Sequence, residues 1–154
     1  MGLTMVTLLI QVATTWAMTG IIWFVQLVQY PSFANVDSAS FPVFHAQHSS
    51  SISIIVAPLM IAEAISGVAF LWAPLRVQTP AQIWLGMGLI AFIWASTFLL
   101  QVPAHSQLGS GFDEGTWRML VRTNWLRTIA WSARAGLVTY WLHRTLDAGT
   151  SLGV

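Results

Sequence analysis

Residues 51–72 read SISIIVAPLMIAEAISGVAFLW, an apolar run broken only by Pro58 and by a single ionisable side chain, Glu63. About 20 such residues are enough to cross the hydrocarbon core of a bilayer as a helix. Working outward, comparable runs cover about residues 3–28, 82–102 and 125–142. The expected fold is therefore all-α: an integral membrane bundle of four transmembrane helices in a single domain over residues 1–154. The first run has no positive flank and is too long for the apolar segment of a signal peptide, so it reads as a spanning helix.

Composition supports this reading and narrows the chemistry. Hydrophobic residues make up 56% of the 154 residues, charged residues only 7%, and mean hydropathy is +0.69. The chain has no cysteine, which excludes disulfides, thiolate metal sites and dithiol redox chemistry. Quinone-linked disulfide enzymes of four helices are excluded on that ground. Lysine is absent, so no Schiff base to retinal can form. The formal net charge of +1, with no basic run, gives no reason to expect a nucleic-acid partner.

Three connections join the spans. The second, Ala73-Pro74-Leu75-Arg76-Val77-Gln78-Thr79-Pro80, reads as a short turn, and the first and third read as longer and more polar. With an even number of spans, both of those polar connections lie on the same side. Asp113 is a plausible N-cap for a short interfacial helix carrying Trp117, Leu120 and Val121 on one face, ahead of the last span. Arg118, Arg122 and Arg127 on the polar side, against Arg76 and Arg144 opposite, place the polar connections in the cytoplasm by a margin of one. Trp72, Trp84, Trp117, Trp125 and Trp141 fall near span ends, where indole favours the interface, while Trp16, Trp23, Trp94 and Trp131 lie deeper, as packing residues or cavity walls.

Polar side chains converge on one membrane edge. The first span reaches it with Gln26, Gln29 and Tyr30, then stops at Pro31; the second leaves it after His45 and His48. The third arrives with Gln101 and His105, and the fourth departs with Asn124 and Arg127. If the second helix begins before His45, the two imidazoles share a face about 5–6 Å apart at Cβ. With His105 they offer three nitrogen ligands to Fe, Cu or Zn. Gln26, Gln101 and Asn124 are the expected cofactor contacts, with Asp113 a further candidate to orient the rings. The competing reading is of plain interfacial, hydrogen-bonding histidines.

A second polar feature lies deeper. At 1.5 Å per residue, Glu63 is about 18 Å and Arg134 about 15 Å from the polar edge, on spans running the same way. An ion pair between them is expected, because a lone charge at that depth is costly. Asn124, Arg127, Trp131 and Arg134 form an inward stripe leading towards it. Glu63, Arg127 and Arg134 are the candidate catalytic groups; fixing helix register is the alternative role for the deep pair. Glu63 is about 22 Å of helix from His48, too far to join its ligands.

The segments Trp23-Phe24-Val25-Gln26 with Tyr30-Pro31, Phe44-His45-Ala46-Gln47-His48, Pro58-Leu59-Met60 with Glu63, Pro103-Ala104-His105 and Asn124-Trp125-Leu126-Arg127-Thr128 resemble a group of bacterial four-helix integral membrane proteins of unassigned activity. In size and span number the chain is also similar to the anthrone-oxygenase-like membrane family, whose fungal members oxidise aromatic polyketide anthrones. That resemblance implies an oxidoreductase and assigns no catalytic residue. The small four-helix protoporphyrinogen oxidases use histidine and lysine, and this chain has no lysine.

The expected function is thus a membrane oxidoreductase, metal-dependent or not, acting on a lipophilic substrate in the cell membrane, a bacterial inner membrane. Expected partners are membrane lipid, a lipophilic small molecule, and further copies of the chain. The alternatives are an assembly subunit of a larger membrane complex, a module binding haem, quinone or pigment, and a small proton-coupled transporter built on Glu63 and Arg134.

Overall fold

A computed structural model describes residues 2–150, and these are helical with short connections and no strand among them. The long helical segments are α1 (Leu3–Asn35), α2 (Phe41–Ala69), α3 (Pro80–Leu108) and α4 (Glu114–Thr150). The first three are long and apolar enough to cross a membrane, which marks the chain as a membrane protein. α4 does not meet the same measure of length and composition.

The helices run further than the apolar runs alone predicted. α1 does not stop at Pro31; it continues to Asn35 through a short 3-10 turn. α2 begins at Phe41, with Pro42 in its first turn, where a missing N–H costs nothing. Hence His45 and His48 are inside a helix rather than ahead of one. The connections are correspondingly different from expectation. The first and third shrink to residues 36–40 and 109–113, and the second, residues 70–79, is the longest. No separate interfacial helix stands where one was expected, because residues 114–150 form the single helix α4 of 37 residues. Asp113 does cap it, accepting a 2.7 Å hydrogen bond from the Thr116 N–H. α3 is opened by a reciprocal pair in which Thr79 accepts from the Gln82 N–H and the Gln82 side chain accepts from the Thr79 N–H. The turn before α4 uses Gly111 at φ 147°, a conformation open only to glycine.

α1 and α3 share a deviation from regular geometry. Val25–Gln29 and Thr97–Gln101 are π-helical turns, closed by Tyr30 N–H to Val25 O and Val102 N–H to Thr97 O. In each, the next residue is proline, Pro31 or Pro103, which has no N–H to give. The wide turn reshapes the hydrogen-bond ladder where proline would interrupt it, and such turns recur at functional sites.

Buried apolar residues form three stacked layers. Tyr30, Phe33, Phe41, Leu108 and Leu120 fill the end near the histidines. Met18, Ile22, Met60, Ile93 and Trp131 fill the middle, and Leu8, Phe70, Val138 and Trp141 the far end. Outward faces remain apolar: Ile54 is 76% exposed and Leu99 73%. Exposure of this kind along whole helices suits lipid rather than water. Trp16 and Trp23, expected as packing residues or cavity walls, line a cavity against α4 and are exposed on its outer side, each donating its indole N–H across, to Thr139 and Ser132.

Candidate functional site

The edge cluster is built from all of the long helices. Beyond its π turn, α1 presents Tyr30, held by a 2.8 Å hydrogen bond from the Trp117 indole N–H to the Tyr30 carbonyl. The Tyr30 hydroxyl lies 2.9 Å from His105 Nε2 on α3. His105 Nδ1 in turn lies 3.0 Å from His45 Nε2 on α2. The result is a chain, Tyr30–His105–His45, in which both ring nitrogens of His105 are engaged. Two proton arrangements satisfy it. Either Tyr30 donates to His105 and His105 to His45, or His45 donates to His105 and His105 to the tyrosine oxygen. Moving each proton one place from the first to the second leaves the Tyr30 oxygen one proton short and His45 one proton over, so a proton delivered to Tyr30 is matched by one released from His45.

Aromatic rings fix the imidazoles. Phe41 stacks on His45 at 5.6 Å between centroids, and Phe33 meets the edges of His45 and His48 at 5.7 and 5.1 Å. His48 stacks near His105 at 6.1 Å but has no hydrogen bond to it.

A second chain braces the first. Gln26 donates to the Val121 carbonyl and accepts from Asn124, and Asn124 Oδ1 accepts from Arg127 Nη1 at 3.3 Å. The Arg127 guanidinium also sits beside the Tyr30 hydroxyl. Gln101 donates to Thr123 Oγ1 at 2.9 Å. All of Gln26, Gln101, Asn124 and Arg127 are buried.

Tyr30, His48, Gln101, His105 and Arg127 form the polar end of a cavity of about 490 Å³. Its walls are apolar, among them Ile52, Val56, Met60, Trp94 and Phe98. The volume is within the usual range for sites that enclose a small organic molecule. Ile61 and Phe98, one on each of α2 and α3, both line it and are exposed on the outer surface, so the cavity opens sideways between those helices.

The structure thus brings together most of the residues expected at the edge, but not all in the expected roles. Gln26 and Asn124 do not line the cavity; they hold Arg127. The three histidines cluster, yet the nearest nitrogens of His45 and His105 face each other across a hydrogen bond, and among the described residues no three His, Cys, Asp or Glu groups are arranged to hold a metal ion. Glu63 and Arg134 are not cavity residues. They form a separate buried pair, Arg134 Nε to Glu63 Oε1 at 2.6 Å, with Gln11 Nε2 donating to the same oxygen at 3.2 Å. The guanidinium lies 5.9 Å from the Trp141 ring centre and is admitted by Gly86, where a Cβ would meet Arg134 Nη1 at 2.7 Å.

Tyr30 carries more than sequence reasoning gave it. Its position in Gln29-Tyr30-Pro31, echoed by Gln101-Val102-Pro103, was the available signal. Gln11, the neutral partner of Glu63, had no signal beyond being polar within an apolar run. Comparison with known proteins finds no matching family model, no matching curated protein and no matching solved structure.

Proposed function

We propose that this chain is a membrane-embedded oxidoreductase that admits a lipophilic, aromatic small molecule from the bilayer and exchanges a proton with it through Tyr30. The observation that carries this reading is the Tyr30–His105–His45 chain ending on the wall of an apolar cavity that opens sideways. A hydroxyl on the bound molecule would donate to the Tyr30 oxygen while the Tyr30 proton passes to His105 Nε2 and the His105 Nδ1 proton passes to His45. Arg127 beside the phenol favours negative charge there as the proton moves. The loose likeness to the anthrone-oxygenase-like family implied the same class of reaction.

The reading includes α4 as a fourth span of a multi-pass protein of the cell membrane. Arg127 and Arg134, which depress the hydropathy of α4, are both buried inside the helix packing, while Ile129 and Leu126 face outward. Glu63 and Arg134 are then positioning residues that join α2 to α4.

The test is turnover of lipophilic phenols and quinols with dioxygen by the purified chain. General acid–base groups contribute about 10²–10⁴-fold, so Tyr30→Phe and His105→Gln should each lose activity on that scale. Full turnover in both variants would overturn the relay. The metal-dependent version puts Fe, Cu or Zn at His45, His48 and His105. It requires stoichiometric metal that disappears in a His45→Ala/His48→Ala variant, and unchanged turnover after chelation would remove it. An optical spectrum on the same samples decides the haem alternative.

A further inference from the structure

The cavity contains a positive charge without a negative one. Arg134 is neutralised by Glu63, and the other ion pairs among the described residues, Arg118–Glu114 and His143–Asp147, are on the surface. Arg127 is 6% exposed, and among the described residues no carboxylate lies within ion-pair distance of it. The groups facing it are neutral acceptors or donors: the Tyr30 hydroxyl from α1, Asn124 Oδ1 from α4, and the His105 ring from α3. Its Nε has no hydrogen-bond partner among the described residues. A buried cation in apolar surroundings is costly unless paired.

On the lining of the same cavity, Gln101 is 2% exposed and its Oε1 also has no partner among the described residues. The amide cannot simply turn, because its Nε2 donates to Thr123. Asn124 is likewise preset by Gln26, which holds the amide so that Oδ1 faces Arg127. The polar end of the cavity therefore carries one cationic guanidinium and one amide on the lining of the same apolar chamber.

We propose, building on the lipophile-binding reading above, that the cavity selects a lipophile with an ionised oxygen head group. Its ionised oxygen pairs with the Arg127 guanidinium on the cavity wall, with Gln101 on the same wall to meet a second oxygen that bears a hydrogen or is bridged by water. Long-chain carboxylates and acidic hydroxyquinones share this chemistry. A cationic head would meet Arg127, and a neutral alcohol would leave it unpaired.

The probes are a brominated hexadecanoate with its alcohol and amine counterparts, and an alkyl hydroxynaphthoquinone with its methyl ether. Each quenches indole fluorescence at short range, and the signal lost in Trp94→Phe reports the cavity. With the full chain in non-ionic detergent, at least one ionised probe should bind about tenfold tighter than its neutral counterpart, a difference of about 1.4 kcal/mol. Which of the two does so identifies the source. Arg127→Gln should erase the preference. Asn124→Asp, which gives Arg127 an internal carboxylate with little change of shape, should erase it too and guards against a misfolded Arg127 variant. Equal binding of ionised and neutral probes, or a preference that survives both variants, overturns the inference while the lipophile-binding reading stands. No quenching of Trp94 by any probe overturns both.

Discussion

Replacing Glu63 with leucine should destabilise the protein by about 3–5 kcal/mol, the usual cost of removing one partner from a buried ion pair. The upper part of that range is expected here. Both side chains are 1% exposed, so water cannot replace the lost carboxylate. Arg134 Nη2 already lacks a hydrogen-bond partner among the described residues, and Gln11 uses its Nε2 on Glu63 itself. At about 1.4 kcal/mol per tenfold, the folding equilibrium should fall by roughly two to three and a half powers of ten. Glu63→Gln, which keeps an oxygen for Arg134 but not the charge, should fall between. Glu63→Leu combined with Arg134→Met removes both charges and should recover stability to within about 1 kcal/mol of the parent. The assay is denaturant unfolding in micelles followed by circular dichroism, with Trp94 quenching on the same samples. An unchanged unfolding midpoint in Glu63→Leu would refute the reasoning about burial. A double variant that folds like the parent but no longer binds or turns over lipophiles would refute the assignment of the pair to positioning.

Other outcomes follow from single contacts. Tyr30→Phe should cost only about 0.5–1.5 kcal/mol of stability, the net worth of one hydrogen bond, yet should shift the nitrogen resonances of His105, because Nε2 loses its partner. Gly86→Ala should destabilise by about 1–3 kcal/mol through overpacking, since a Cβ there would sit 2.7 Å from Arg134 Nη1. Gly88→Ala, with nothing within 4 Å, should instead stabilise α3 by up to about 1 kcal/mol in the same unfolding assay. The hydrogen bond from Thr116 holds the Asp113 carboxyl below its ordinary 3.8. Its stabilisation of α4 is therefore present above that value and lost as pH falls through the lowered one. Asp113→Asn should flatten that part of a melting-temperature profile against pH.

Apolar runs made most of the helical architecture legible, because composition over about 20 residues is a strong signal. Helix ends were less legible. Pro31 looked like a stop, yet the π turn at Val25–Gln29 carries the helix past it, and nothing local in Val-Gln-Leu-Val-Gln announces a wide turn. The apolar runs leave open whether α2 begins before His45, and Pro42 in its first turn is the signal that decides it. Burial of Asn124, Arg127, Trp131 and Arg134 followed from their helical spacing. The hydrogen-bonded chain through Tyr30, His105 and His45 did not, since it depends on ring orientation across three helices. Trp16 and Trp23 illustrate a related limit: depth along a span says nothing about which way a side chain points.

The two π turns give the Tyr30–His105 contact an unusual sensitivity. Such a turn is an α-helix with one residue too many, and removing that residue restores ordinary geometry. Everything beyond it would then rotate by about 100°, one residue's step of a 3.6-residue helix. Tyr30 and His105 each lie just beyond such a turn, in helices that run in the same direction. The 2.9 Å contact between them thus depends on two separate one-residue surpluses. Chain length within Val25–Gln29 and Thr97–Gln101, more than the identity of the residues there, is what keeps a phenol facing an imidazole.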